Sequence, residues 1–323
     1  MSSSGGALTS FIPLLRRALA KVPPPRHDIP APKASVAAVF RWREKEQRTL
    51  EVLLVRRAVN ERDTWSGQVA FPGGRRQKKA RMDIREALRD DWTEWESLRD
   101  TAQRETLEEV GLDLSLPDVH WIGSLPIIQT HLRGMTVSTQ VSLSRSLGQL
   151  MLGCLLVYYV DAPADEHGFE PKLQASEISD AFWLDVRELL RPQRYAALEW
   201  PLEDMMPSLR ARPALKAVAD RLLGKLLFDC VYLPRPGHEL PDDAREPPRK
   251  VHEFVLWGLT LRMLATMFEF AGTPLPVRQE PQRFESRLLG DLVLFCYRYP
   301  DQALAGGATV AAIGLVTLVY SHL

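Results

Sequence analysis

The chain is poor in the residues that staple or metallate small extracellular domains. Its three cysteines, Cys154, Cys230 and Cys296, lie far apart, are odd in number and have no metal-ligand spacing. That excludes a disulfide framework and points to reduced thiols in an intracellular compartment. The seven histidines form no ligand-spaced cluster, so a zinc site is not expected. An excess of one charge sign is also missing, because 41 lysines and arginines balance 41 aspartates and glutamates. No global field therefore draws the protein to nucleic acid or to an anionic membrane, and an anionic ligand has to be held locally. No internal repeat of solenoid period is visible. A secretory signal is absent too: residues 7–22 are apolar and basic, yet lack the long apolar stretch and small-residue cleavage site. They read as an amphipathic arm, with a mitochondrial presequence as the lesser reading.

What is present is ordinary globular composition, 45% hydrophobic and 25% charged over 323 residues, enough for a sizeable core. Residues 23–33 form a proline-rich linker, and a folded domain is expected over 34–271, with a surface loop at 234–250 and a connector at 272–301. β-Branched and apolar runs predict strands at 35–40, 50–56, 68–71, 119–125, 136–141, 155–160 and 181–184. Helices are predicted over 84–110, closed by Gly111 as a C-cap, and over 186–190 and 251–271. The mixture implies an α+β fold, a mixed β-sheet sandwiched between helices, followed by a C-terminal hydrophobic helix. No charge occurs from Gln302 to Tyr320, a run about long enough to cross the hydrocarbon core. Residues 302–323 are therefore expected to anchor the chain in a membrane, with the folded domain in the cytosol. The closing Ser321, His322 and Leu323 offer the alternative of a peroxisomal address like Ser-Lys-Leu. The two readings exclude each other, since a spanning helix carries the tripeptide to the far side.

The chemistry concentrates between residues 96 and 112. Glu96 is followed after seven residues by Arg104-Glu105-Thr106-Leu107-Glu108-Glu109-Val110-Gly111-Leu112. Glu105 stands three and four positions before Glu108 and Glu109, so the three carboxylates share one side of a helix, where they repel unless a cation intervenes. Carboxylate oxygens suit hard divalent ions such as Mg²⁺ or Mn²⁺, which also bind phosphate oxygens.

This spacing resembles the Nudix box, G-x5-E-x7-R-E-U-x-E-E-x-G-U with U a bulky aliphatic residue, and only Thr106 departs from the U character. The resemblance implies that Glu105, Glu108 and Glu109 bind the metals, that Glu96 holds Arg104, and that the Gly74 carbonyl points toward a metal. One of the carboxylates is expected to activate water. A departure lies upstream: twenty-one residues, 75–95, separate Gly74 from Glu96 where the pattern has five. The extra stretch opens with five cations, Arg75, Arg76, Lys78, Lys79 and Arg81. Arg85-Glu86 imitates the box without its paired glutamates or closing glycine.

Further upstream, Leu53-Leu54-Val55-Arg56-Arg57-Ala58, then Arg62, then Gly67-Gln68-Val69-Ala70-Phe71-Pro72-Gly73-Gly74 resembles the additional motif of Nudix enzymes that hydrolyse coenzyme A. Val55 stands in place of a threonine, and one extra residue separates Arg62 from Gly67. Phe182-Trp183-Leu184 and Leu256-Trp257-Gly258-Leu259-Thr260 look like the closing segments of that subfamily. The resemblance implies release of 3′,5′-ADP and 4′-phosphopantetheine from coenzyme A or acyl-CoA, with Arg57 or Arg62 on a phosphate and Gly73 and Gly74 allowing close backbone approach. The expected partner is a small nucleoside diphosphate derivative, not a nucleic acid, with a membrane engaged only through the tail. Two rival readings stand beside it: a Nudix hydrolase of ADP-ribose, a dinucleotide or capped RNA, and a catalytically silent, membrane-tethered binding module.

Overall fold

The computed structural model of the chain describes residues 8–22, 34–43, 48–59, 67–78, 95–126, 128–131, 137–138, 150–160, 172–205, 210–234, 254–277 and 282–286. In chain order the elements are α1 (Phe11–Leu19), β1 (Ala34–Arg43), β2 (Thr49–Arg57), β3 (Val69–Ala70), β4 (Gly73–Arg75), α2 (Leu98–Val110), β5 (Val119–Ser124), β6 (Ile128–His131), β7 (Val137–Ser138) and β8 (Leu150–Val160). There follow β9 (Ile178–Asp185), α3 (Val186–Leu189), β10 (Tyr195–Trp200), α4 (Leu202–Met205), α5 (Pro213–Leu223), β11 (Leu226–Leu233), β12 (Phe254–Trp257), α6 (Gly258–Phe270) and β13 (Gln282–Phe284). The described residues divide into two compact units, those within 1–128, 151–194 and 231–276 forming one, and those within 129–150, 195–230 and 277–286 the other.

The first unit is built on a mixed sheet. β1 runs parallel to β8, from Ala37 opposite Leu156 to Arg41 opposite Val160, and antiparallel to both β2 and β4. β9 and β3 pair antiparallel with β2, and β5 with β8. Side chains alternate across a strand, and here the two faces meet different helices. Ala37, Val39, Leu53, Val55, Leu156 and Tyr158 pack with Ala102 and Val110 of α2 in one buried cluster. Phe40 points the other way, its ring 5.5 Å from that of Phe11 in α1, which in turn lies 4.8 Å from Phe268 of α6. The sheet is thus sandwiched between helices, as the alternation of elements predicts.

Residues 8–22 are part of this core. A nine-residue helix is too short to persist alone in water, and α1 is held by burying Phe11, Ile12, Leu15 and Leu19 while Arg16 and Arg17 face solvent. Its last turn sits against Gly123, where a Cβ would lie 2.6 Å from the Cβ of Leu19. Only a residue without a side chain permits that approach.

The second unit is smaller. β13 runs antiparallel to β11, and β6 pairs with β7. Cys230 is buried without a disulfide, its thiol 3.5 Å from the carbonyl of Ala196.

Several boundaries differ from expectation. The apolar run 251–271 is not one helix: Phe254–Trp257 is a strand, and helix α6 begins only at Gly258. Residues 95–97 precede α2 and are not helical, while 84–94 lie outside the described residues. The predicted hydrophobic tail, 302–323, also lies outside them; among the described residues no helix is long and apolar enough to cross a membrane.

Candidate active site

Helix α2 begins at a reciprocal cap. Ser97 accepts a hydrogen bond from the Asp100 amide at 3.0 Å, while the Asp100 carboxylate accepts from the Ser97 amide at 3.3 Å. Gly111, with φ of 75°, closes the other end, donating to the carbonyl of Leu107. Thr106, the one departure from the box, is fully buried; its hydroxyl donates to the Ala102 carbonyl at 2.7 Å, so a polar group on the packed face is satisfied within the helix. Val55, where the coenzyme A motif has threonine, belongs to the apolar cluster under α2, which suits a side chain with no hydroxyl to satisfy.

Near the start of α2 one cation gathers several acids. Arg104 holds Glu96 with both arms of its guanidinium, Nε to Oε1 at 2.8 Å and Nη2 to Oε2 at 3.1 Å. This bidentate, charge-assisted geometry is the strong form of the pair. The same guanidinium reaches Glu108 at 2.9 Å, Glu105 at 2.9 Å and the Arg75 carbonyl at 3.1 Å. Arg104 holds the Glu96 carboxyl below its ordinary range, helped by the Gln77 amide and the Thr101 hydroxyl. Glu96 in turn holds the Arg104 cation more firmly protonated than usual.

The extra residues do not displace the glycine loop. Lys78 and Trp95 form an antiparallel bridge, and the Glu96 amide donates to the Gln77 carbonyl at 3.0 Å, so the chain leaves and returns at one place. Gly73 and Gly74 reach α2 in spite of the longer spacing.

At the far end of α2 the arrangement is different. The Gly73 amide donates to Glu109 at 2.8 Å. Gly73 adopts φ of 144°, and a Cβ there would stand 2.4 Å from the Ser35 carbonyl oxygen, so both conformation and space demand glycine. A Cβ on Gly74 would lie 2.5 Å from the Glu105 carboxyl carbon; the backbone is pressed against that acid. Glu109 is only 3% exposed, and burial pushes its carboxyl up to about 7, against the opposing pull of the Gly73 amide and of Arg57 and with Glu105 and Glu177 adding repulsion. Burial likewise raises Glu105, opposed by Arg104 and reinforced by Glu108 and Glu177.

Of the residues singled out in the sequence, Glu96, Arg104, Glu105, Glu109, Gly73, Gly74 and Arg57 come together around this helix. Glu108 is about half exposed and turned to Arg104. Arg62 lies outside the described residues. Sequence reasoning missed Glu177. It is exposed and follows a strap whose amides at Lys172 and Gln174 donate to the Val110 and Glu109 carbonyls, each at 3.2 Å, while its own carbonyl accepts from Ala58 at 2.7 Å. Nothing in the local pattern around Glu177 marks it; tertiary hydrogen bonds bring it to the acids.

Among the described residues no three acids or other ligating side chains are gathered closely enough to enclose an ion. The donor set nonetheless fits a hard divalent cation. Glu105 and Glu109 are partly or wholly buried carboxylates whose protonation burial favours, a cost that a bound cation would relieve; the Gly74 backbone abuts Glu105, and Glu108 lies one turn on from it.

The chain matches the model of the Nudix domain over residues 31–205, more than half its length and including the whole of this site. An uncharacterized protein of Schizosaccharomyces pombe is 25% identical over 221 residues, covering 64% of this chain and 57% of that protein, so the chain spans little over half the length of that relative. Among solved structures it is similar to a Caenorhabditis elegans Ap4A hydrolase, at 13% identity and TM-score 0.29 over 57% of this chain and 98% of that one. It is also similar to the Nudix domain of Shewanella oneidensis NrtR complexed with ADP-ribose, at 18% identity and TM-score 0.28 over 62% and 97%. A Nudix hydrolase of M. smegmatis, RenU, gives 13% identity and TM-score 0.30 over 49% and 73%. At such scores the assignment rests on the domain match: the chain belongs to the Nudix domain family.

Proposed function

We propose that the protein hydrolyses the diphosphate of coenzyme A or acyl-CoA, yielding 3′,5′-ADP and (acyl-)4′-phosphopantetheine. The observation that carries this reading is the convergence of the two halves of the upstream motif on one acid. Arg57, at the end of β2, and Gly73, at the start of β4, both act on Glu109. The pairing of β2 with β3, continued by the Arg57 amide donating to the Gln68 carbonyl at 3.0 Å, ties the two halves together.

In this reading Glu105, Glu108 and Glu109 hold Mg²⁺ or Mn²⁺ with the Gly74 backbone, and Arg104, fixed by Glu96, sets their orientation. A divalent ion supplies Lewis acidity there, neutralising the diphosphate and acidifying water. Arg57 contacts a phosphate oxygen and carries the planar donor fork that such recognition uses. A carboxylate of the group accepts the proton of the attacking water; the new P–O bond forms at one phosphorus as the bridging oxygen leaves with the other phosphate.

The test is to incubate the full chain, solubilised in detergent, with Mg²⁺ or Mn²⁺ and separate pools of coenzyme A, ADP-ribose, diadenosine polyphosphates and capped RNA, with Glu108→Gln as control. Release of 3′,5′-ADP that is lost in the control is the expected result. Faster turnover of another pool replaces the substrate and keeps the chemistry, whereas no turnover in any pool leaves a binding module. The membrane tether proposed for residues 302–323 is checked separately: resistance of the full chain to carbonate extraction supports it, and release into the soluble fraction favours the terminal tripeptide as an address.

A further inference from the structure

We propose that residues 75–78 and 95–96 form a clip that restores the register of the metal-binding helix across the inserted stretch, with Arg76 as its positioning residue; the proposal rests on the Nudix reading above. The bridge between Lys78 and Trp95 marks where the chain is spliced. Leaving out the sixteen residues 79–94 leaves five between Gly74 and Glu96, namely Arg75, Arg76, Gln77, Lys78 and Trp95, which is the spacing of the box. The surplus is thus confined between two paired residues and adds nothing to the distance the glycine loop must span.

A single bridge between solvent-exposed residues is a weak fastener in water. Lys78, 5.4 Å over the exposed Trp95 ring, adds little at such a site. Glu96 is the better anchor, because its whole frame is engaged. Its amide donates to the Gln77 carbonyl at 3.0 Å, its carboxylate accepts from the Gln77 amide at 3.1 Å, and its carbonyl accepts from Arg76 through Nε at 2.7 Å and also through Nη2. The contact from the Arg76 cation is partly buried and charge-assisted. From Glu96 the restraint passes to Arg104, and from Arg104 to Glu105 and Glu108. Arg76 is placed to act on those acids through Glu96.

The experiment titrates the full-length protein with Mn²⁺, reading free Mn²⁺ by electron paramagnetic resonance, alongside diphosphate hydrolysis and thermal melting. Arg76→Ala is expected to weaken Mn²⁺ binding and raise half-saturating metal for hydrolysis by about ten-fold, the scale of losing an outer-shell support, in a protein that still melts cooperatively. Arg76→Lys keeps the charge but not the planar guanidinium, so it falls between the parent and Arg76→Ala. In a second variant Asn-Gly, a two-residue turn suited to an antiparallel pair, replaces residues 79–94, and it is expected to bind Mn²⁺ as the parent does. Should Arg76→Ala unfold, Arg76→Lys and the Asn-Gly variant carry the decision. Parent-like Mn²⁺ binding by Arg76→Ala, or loss of binding in a stably folded Asn-Gly variant, overturns the clip while leaving the Nudix reading intact. A parent that neither binds Mn²⁺ nor hydrolyses any diphosphate overturns both.

Discussion

The two ends of helix α2 are built on opposite principles. At its start a cap is closed, Glu96 is held low by Arg104, and the cation is shared among three acids. Its end buries Glu109 to 3% exposure, pushes that carboxyl up to about 7, and places Glu105 and Glu177 where they make matters worse. The first arrangement is what stability alone would select. The second violates it locally, and such violations inside an otherwise consistent fold are where function is to be sought. The front of the helix fixes its position; the back holds acids in a state that, in the proposed reading, a cation would complete.

The sharpest way to break this contrast is Glu109→Gln. Since a catalytic cation supplies several kcal/mol to a phosphoryl-type transition state, loss of a buried ligand is expected to cut kcat by about 100-fold or more. Stability should move the other way. With its folded value near 7 against an ordinary 4.5, Glu109 binds more protons folded than unfolded between those limits, so the metal-free protein loses stability as pH rises from 4.5 through 7 and stays low above. The full penalty is roughly 3 kcal/mol, and Glu109→Gln should flatten that stretch of a denaturant-stability profile measured in EDTA. A flat profile in the parent would show that the back end is as well compensated as the front.

Gly73→Ala attacks the same end through the backbone. Its Cβ would meet the Ser35 carbonyl at 2.4 Å in a conformation alanine resists, so a loss of about 3 kcal/mol is expected in urea unfolding. The smallest effect belongs to the front: Ser97→Ala should cost about 1 kcal/mol, with kcat little changed. If that variant instead loses activity as severely as Glu109→Gln, the division of labour between the two ends is wrong.

Fixed charges at fixed spacing made the acidic helix legible, because i, i+3 and i+4 positions share a face whatever the rest of the fold does. The sheet was legible for a similar reason, since β1, β2, β8 and β9 alternate or run apolar in ways few other structures accept. Glu177 was not, as its approach depends on a strap sewn to α2 by main-chain hydrogen bonds that carry no residue signature. The start of α2 was misplaced because charged periodicity runs through residues 84–110, masking the Ser97 cap. Similarly, the apolar run 251–271 conceals a strand-to-helix junction at Gly258, whose φ of 62° breaks the run where its apolar character does not. The excess spacing after Gly74 was countable in the sequence, but the point of splicing became visible only when Lys78 was found beside Trp95.

The seating of Leu19 on Gly123 makes the opening helix a keyed part, with one missing methyl as the keyway. Trimming the chain back to the proline-rich stretch would strip the cover from Phe40 and Phe268 and leave a sticky apolar surface. Shortened versions that begin at the first strand are therefore expected to clump, and to do so for reasons unrelated to their chemistry.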